Sequence, residues 1–426
     1  MPTSDLIDLI AGLRRPEAFG YPEGTPVEVV QTHVSVVFLV GEDVYKLKKP
    51  LDLDFLDYST LERRHHFCEL EVQLNRRLAP EVYLGVVEIR RDAGGVLRVG
   101  GAGEAGEAGE AVEYAVHMRR LPDEATLGSR LARGEVDRAT MRRIGGKVHG
   151  FHRAARRGPE VSAWATFTAV AANARQNFAQ LAGLGVVGER LLTRLERWTE
   201  DALNRHHGMI EGRARRQVAC DTHGDLRVDH LYLFPERAPP HDLVILDCIE
   251  FSDQFRCADP IADLAFLVMD LRRIGQMEAA NGLIDGYFAV YDQCLAGRPD
   301  PGHDMFDKLD LLDMHDQHDK RAEREVQEER AESRELLPFY TAYRATVRAK
   351  VDAMKASEPE VEPEAAAAAL RSAHQHLLLA LRELQPPGLR PCLVLVAGLP
   401  GTGKSTLARA LAAEGFVWVR SDAVRK

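Results

Sequence analysis

The sequence predicts an α+β fold of two lobes over residues 27–356, followed by the start of a separate α/β unit at residues 391–426. Three observations carry that expectation. Residues 27–121 are dominated by short runs rich in Val, Phe and Tyr, which read as strands, and residues 122–356 carry mostly helical spacing. A stretch rich in Pro, Glu and Ala over 357–390 then leads into the continuous apolar run Cys392-Leu393-Val394-Leu395-Val396-Ala397.

Composition narrows the class of protein. The 426 residues are 45% hydrophobic and 28% charged, as in folded globular chains, and allow several domains. A formal charge of −10 is mild for this length, so no broad attraction to nucleic acid or anionic membrane is expected. The apolar run Val36–Val40 is far short of the ~20 residues a membrane helix requires. Met1–Gly12 has no basic start and no small-residue cleavage site, which reads as a cytoplasmic protein. Six scattered cysteines without a CxxC suggest neither a disulfide framework nor a cysteine zinc site.

Taken in order, residues 1–26 read as an N-terminal helical segment. Val27 to Val40 and, after the turn Gly41-Glu42-Asp43, Val44 to Lys48 read as consecutive antiparallel strands. Only ten of the 55 basic residues are lysine, so the cluster Lys46, Lys48, Lys49 stands out, and alternation puts Lys46 and Lys48 on one face. Either Ser59 or Thr60 caps a helix that runs to about Ala79 and stops at Pro80. Tyr83–Ile89 and Val112–Met118 read as two further strands, joined by a solvated loop with a Gly-Glu-Ala repeat.

From Asp123 to about His207 the pattern is helical; Ile144, Val148 and Phe151 form one stripe. Short strand patterns return at 222–234 and 243–251, and helices resume from Pro260 to about Lys355. The His- and Asp-rich stretch 303–319 reads as a solvated acidic helix, and His149 and His152 as packed histidines. Phe339–Lys350 reads as a core helix, and Trp164 and Trp198 as core. Residues 357–390 read as a linker containing a helix.

The C-terminal motif Gly398-Leu399-Pro400-Gly401-Thr402-Gly403-Lys404-Ser405-Thr406 has the spacing GxxxxGK[ST] between an apolar run and a helix. Glycines allow backbone N–H groups to turn inward around phosphate, a lysine in that place reaches the β/γ oxygens, and the Ser405 hydroxyl suits Mg²⁺. ATP or GTP is the expected ligand. Phe416–Arg420 reads as a second strand. Asp422 beyond it is either a contact to an acceptor hydroxyl or a helix cap, and Arg425 is a candidate phosphate contact. This segment resembles the small-molecule and zeta-toxin-like P-loop kinases. The sequence stops at Lys426, so a truncated half-site is expected.

Upstream, Thr222-His223-Gly224-Asp225-Leu226 follows a strand-like segment, and Val244-Ile245-Leu246-Asp247 places a second acid at a strand end. Two acids so placed suit phosphoryl transfer, one at the acceptor hydroxyl and one at Mg²⁺ on the phosphates. These residues, with Asp259-Pro260-x-x-Asp263-Leu264-Ala265, resemble the aminoglycoside phosphotransferase and choline kinase group, which implies a two-lobed protein-kinase-like fold.

The resemblance implies that Asp225 is the catalytic base, Asp247 the metal-binding acid, and Asp259 and Asp263 structural acids. It implies a lysine on the third strand contacting ATP and pairing with a helix glutamate: Lys46 first and Lys48 second, with Glu71 as partner and Glu69 as alternate. Tyr114–Met118 resembles the hinge where adenine meets backbone, making Met118 a nucleotide contact. Five residues after Asp225, where the family usually has Asn for a second metal, stands His230, and Gln31–Ser35 replaces a glycine-rich loop.

The combination resembles bacterial bifunctional proteins with an aminoglycoside phosphotransferase-like domain and an AAA-type P-loop domain. The expected function is an ATP-dependent phosphotransferase with Mg²⁺, acting on a small hydroxylated molecule and fused to an ATP-binding P-loop domain. The alternative is a non-catalytic kinase-like sensor that regulates the P-loop partner.

Overall fold

The structure, a computed structural model, describes residues 3–53, 56–101, 109–295, 320–358, 361–385, 394–399, 401–413 and 418–419. It divides into two units, Met1–Leu384 and Gln385–Lys426. The first unit opens with α1 (Thr3–Gly12), then β1 (Val27–Gln31), β2 (Ser35–Val40), β3 (Asp43–Lys48), the two-residue strands β4 (Asp52–Leu53) and β5 (Leu56–Asp57), α2 (Leu61–Asn75), β6 (Tyr83–Arg91), β7 (Leu97–Gly101) and β8 (Glu110–Arg119).

The main sheet has the order β1-β2-β3-β8-β6-β7 and is antiparallel throughout. β7 was not foreseen, because its Leu-Arg-Val-Gly-Gly gives no strand signal; its ladder to β6 supplies what local propensity lacks. One sheet face packs Phe38, Tyr45 and Leu47 against Leu9, Leu13 and Phe19 of the N-terminal segment. The other face receives α2 through Cys68 and Val72, which meet Tyr83 and Val116. Since Tyr45 and Leu47 face α1, the pleat turns Lys46 and Lys48 toward α2. Thr60 is the residue that caps α2, accepting from Arg63 N at 3.3 Å, while Ser59 donates its hydroxyl to Asp57 at 2.6 Å.

The helical part comprises α3 (Leu127–Ala132), α4 (Arg138–Ala154), α5 (Pro159–Ser162), α6 (Phe167–Leu184), α7 (Glu189–Arg215), the short strands β9 (Cys220–Asp221), β10 (Leu231–Leu233) and β11 (Leu243–Ile245), α8 (Asp253–Arg256), β12 (Cys257–Ala258), α9 (Pro260–Arg273), α10 (Met277–Leu295), α11 (Lys320–Ala356) and α12 (Pro363–Leu384). Helix α9 is the centre of this core: every residue from Pro260 to Leu271 is buried. Helices α4 and α10 touch backbone to backbone, since a Cβ at Gly286 would collide with the Arg142 carbonyl and one at Gly145 with the Leu283 carbonyl.

Two expectations change here. Helix α12, expected inside a linker, belongs to the first unit: Ala373, Leu377 and Ala380 are buried, Glu383 pairs with Arg272 at 2.7 Å and His376 with Asp352 at 3.2 Å. Its Ala-rich face lets it approach α11 closely, and composition alone mistook that face for spacer. Trp164 is 40% exposed and is not core.

In the second unit α13 (Lys404–Ala413) has no buried residue. Val394–Ala397, expected within a buried parallel strand, has no ladder partner among the described residues, and most of the second expected strand, 416–420, lies outside them. A strand exists only through its neighbour's hydrogen bonds. No helix of the described residues is long and apolar enough to cross a membrane.

Candidate active site

The site assembles where the α2 face of the sheet meets the loops after β9 and β11. Strand β3 delivers Lys46, whose Nζ lies 2.9 Å from Glu71 Oε1 on α2 and 2.7 Å from Asp247 Oδ1. The other Glu71 oxygen accepts from Lys48 Nζ at 2.7 Å. Both lysines thus meet the same glutamate, as one face of one strand requires. They differ in environment: Lys48 is 1% exposed and is enclosed by Glu71, Glu250 and Tyr58, whose hydroxyl donates to Glu250 at 2.6 Å. Lys48 therefore points into the protein, and Lys46 is the lysine beside Asp247. Glu69 instead faces His65 at 3.5 Å.

Electrostatics follow the geometry. Burial works against both ammonium charges, but Asp247 and Glu71 for Lys46, and Glu250 and Glu71 for Lys48, hold both pKa values well above the ordinary lysine range. Desolvation pushes the Asp247 carboxyl up, and Lys46 followed by His230 reverses this and holds it well below the usual carboxylate range. Asp247 has φ +64°, a left-handed conformation uncommon outside glycine. Its N–H donates to Tyr83 Oη at 3.3 Å, and that of Cys248 to Asn75 Oδ1 at 2.9 Å.

Asp225 is held by a second set of contacts. The N–H groups of His223 and Gly224 donate to Asp263 at 3.1 and 2.9 Å, and His152 Nε2 binds the same carboxylate at 3.0 Å. Burial raises the Asp263 pKa, but His152 brings it down to about 2. His223 Nε2 donates to the Leu246 carbonyl at 2.8 Å and its Nδ1 accepts from Asp225 N at 3.3 Å, which fixes a neutral tautomer; burial holds its pKa low. Asp259 instead caps α9 and pairs with the buried Arg213 at 2.6 Å.

His230 stands between the two acids. Its Nδ1 donates to the Asp225 carbonyl at 2.9 Å, lies 3.7 Å from Asp225 Oδ2, and leaves Nε2 facing Asp247 Oδ2 at 3.8 Å. Met118 lies on β8 in register with Val44 and Tyr83. Among the described residues no group of three or more His, Cys, Asp or Glu is placed to hold a metal ion.

Sequence reasoning missed Glu250, Tyr58, Tyr83, Asn75 and Arg77. Arg77, two residues beyond α2, donates to the Asp221 and Thr222 carbonyls at 3.0 and 3.2 Å, tying the sheet lobe to the loop that carries Asp225. Only Glu250 left a trace in the sequence, as a second acid three residues after Asp247.

In the second unit the glycine-rich loop closes around its own lysine: Lys404 Nζ donates to the Gly398 and Leu399 carbonyls at 2.7 and 2.6 Å, and Thr402 Oγ1 to Leu399 at 2.8 Å. Gly401 and Gly403 have φ of +85° and +84°, which the sequence meets with glycine. Ser405 and Thr406 lie in the first turn of α13, with Ser405 exposed. Pro400, Asp422 and Arg425 lie outside the described residues, as does the stretch 303–319.

No family model matches the chain. The uncharacterized proteins Rv2004c of Mycobacterium tuberculosis and Mb2027c of Mycobacterium bovis are each 32% identical to it over 403 residues, covering 94% of this chain and 68% of theirs. The chain belongs to the family of these mycobacterial proteins. Among solved structures it is similar to a choline kinase from Cryptosporidium parvum, with 10% identity and a TM-score of 0.46 over 89% of this chain and 95% of that one. It is also similar to a Plasmodium vivax ethanolamine kinase, with 7% identity and a TM-score of 0.44 over 84% and 82% of the two chains. A glucosamine kinase in complex with glucosamine, ADP and inorganic phosphate gives 16% and 0.40 over 85% and 76%.

Proposed function

We propose that the first unit is an ATP-dependent phosphotransferase acting on a small hydroxylated molecule, and that the second unit binds nucleotide through its glycine-rich loop. The observation that carries the first part is the chain of contacts Glu71, Lys46, Asp247, with Asp225 across His230. A lysine held by a helix glutamate beside a low-pKa carboxylate suits nucleotide phosphates, and a second acid suits an acceptor hydroxyl.

Mg²⁺, when bound, neutralises charge on the phosphates. Asp247 would hold it as an oxygen ligand, since its side chain is 47% exposed, with His230 Nε2 3.8 Å from the same carboxylate. The Asp225 carboxylate takes the proton of the acceptor hydroxyl; the new bond joins that oxygen to the γ-phosphorus, the bond from phosphorus to the bridging oxygen breaks, and ADP leaves. His230 in place of an amide favours a second reading, a nucleotide-responsive module without turnover.

Calorimetric titration of the full chain with Mg-ATP tests the proposal. Two sites are expected, one lost in Asp247→Ala and the other in Lys404→Ala. Binding untouched by Asp247→Ala would refute the nucleotide role of the first unit. A bound nucleotide never consumed with any hydroxylated acceptor would favour the second reading.

A further inference from the structure

Strand β3 sends two ammonium groups to one carboxylate, which carries charge enough for only one of them. Glu71, fully buried, offers Oε1 to Lys46 at 2.9 Å and Oε2 to Lys48 at 2.7 Å. Lys46 has a second carboxylate in Asp247, at 2.7 Å. Lys48, sealed from solvent, has its second in Glu250. The phosphoryl transfer proposed above uses Glu71, Lys46 and Asp247 and gives Glu250 no part.

Glu250 is held from both sides of the cleft. It lies three residues after Asp247 in the loop that follows β11, with its side chain 8% exposed. From the sheet lobe the Tyr58 hydroxyl donates to its Oε1 at 2.6 Å and lies 3.4 Å from Lys48 Nζ. Tyr58 is fixed in turn: its carbonyl accepts from Arg64 Nη1 at 2.9 Å, and Arg64 pairs with Glu113 of β8 at 2.9 Å. The backbone between the two acids is pinned as well, with Cys248 N–H on Asn75 and Ile249 N–H on the His223 carbonyl at 3.1 Å. The contacts therefore close a ring: Asp247, Lys46, Glu71, Lys48, Glu250, and back to Asp247 along the chain.

Charge accounting gives the ring a purpose. Burial works against the Lys48 ammonium, and Glu250 ahead of Glu71 restores it. Burial likewise pushes the Glu71 carboxyl up, and Lys46 ahead of Lys48 brings it below its ordinary value. We propose that Glu250 is a positioning residue for the nucleotide phosphates: by balancing Lys48 it leaves Glu71 free to hold Lys46 against Asp247, and the Tyr58 hydroxyl aims it. Without the Glu250 charge, Glu71 is the carboxylate left to the buried Lys48, draws toward it, and gives up its hold on Lys46. This inference rests on the phosphotransferase reading for the role of Lys46.

The test is calorimetric titration with Mg-ATP and with adenosine, in the full chain carrying Lys404→Ala to remove the site proposed for the second unit. Lys46 acts on phosphates, so the two ligands separate positioning from general loosening. Glu250→Gln is expected to weaken Mg-ATP by about tenfold or more and to leave adenosine within about twofold. Adding Lys48→Met to Glu250→Gln removes both charges, frees Glu71 for Lys46, and is expected to bring Mg-ATP back to within about threefold of the parent. Gly286→Ala, remote on α10, serves as the control for lost stability alone and should leave both affinities in place. Should Glu250→Gln not fold, Tyr58→Phe keeps every charge and removes only the hydroxyl on Glu250; about threefold weaker Mg-ATP with adenosine unchanged is expected.

Mg-ATP affinity unmoved in Glu250→Gln and Tyr58→Phe, with binding still lost in Asp247→Ala, would overturn this inference and leave the phosphotransferase reading standing. Adenosine falling in parallel with Mg-ATP, a double variant as weak as Glu250→Gln, or an equal loss in Gly286→Ala would likewise overturn it, since each reports structure rather than positioning. Mg-ATP binding that does not depend on Asp247 would refute the phosphotransferase reading and this inference with it.

Discussion

Replacing Lys48 by methionine separates the two lysines that share Glu71. The Lys48 ammonium is 1% exposed and is the cation on Glu250, whose remaining buried contact is the Tyr58 hydroxyl. Glu71 keeps Lys46 at 2.9 Å, so the uncompensated charge in Lys48→Met falls on Glu250. Removing one partner of a buried pair costs about 3–5 kcal/mol, a large share of the ~5–15 kcal/mol stability of a folded domain.

Lys46→Met is expected to cost much less, because Lys46 and its partner Asp247 reach solvent, with side chains 16% and 47% exposed. Lys46→Met should instead abolish nucleotide binding at the first unit. Urea unfolding followed by far-UV circular dichroism measures both costs, and Lys48→Met with Glu250→Gln should recover a substantial part of the loss. The folded pKa of Lys48 lies above its ordinary value of 10.5. Its contribution is therefore fully present below that value and lost as pH rises through the folded pKa. The Lys48→Met deficit should accordingly stay constant between about pH 6 and 9. A Lys48→Met cost no larger than that of Lys46→Met would refute the assignment of Lys48 as the buried structural cation.

Two further outcomes follow from other parts of the fold. Asp263 is lowered from 3.8 to about 2, so its contribution is present above the ordinary value and lost as pH falls through the folded one. On the order of 2 kcal/mol of stability should disappear between about pH 4 and 2, and acid titration of Asp263→Asn should show a flatter profile. Gly286→Ala forces a Cβ into the Arg142 carbonyl and should cost about 1–3 kcal/mol, read as a lower thermal midpoint, whereas Gly146→Ala, with open space at its Cβ, should not.

The sequence by itself determined the features that depend on covalent geometry and short-range spacing. Period-2 alternation places Lys46 and Lys48 on one face whatever packs against it, a cap at Ser59 or Thr60 is legible wherever the helix goes, and Gly401 and Gly403 meet the left-handed turns of their loop. Asp225 and Asp247, which lie in the loops after β9 and β11, were singled out from the same short-range pattern.

Tertiary structure decided which lysine is sealed and which stands at the cleft, because that depends on Glu250 and Tyr58 closing over Lys48. It also placed α12 in the first unit and paired β7 with β6. A buried charge is tolerated only beside its partner, and those partners come from remote parts of the chain that no local pattern connects.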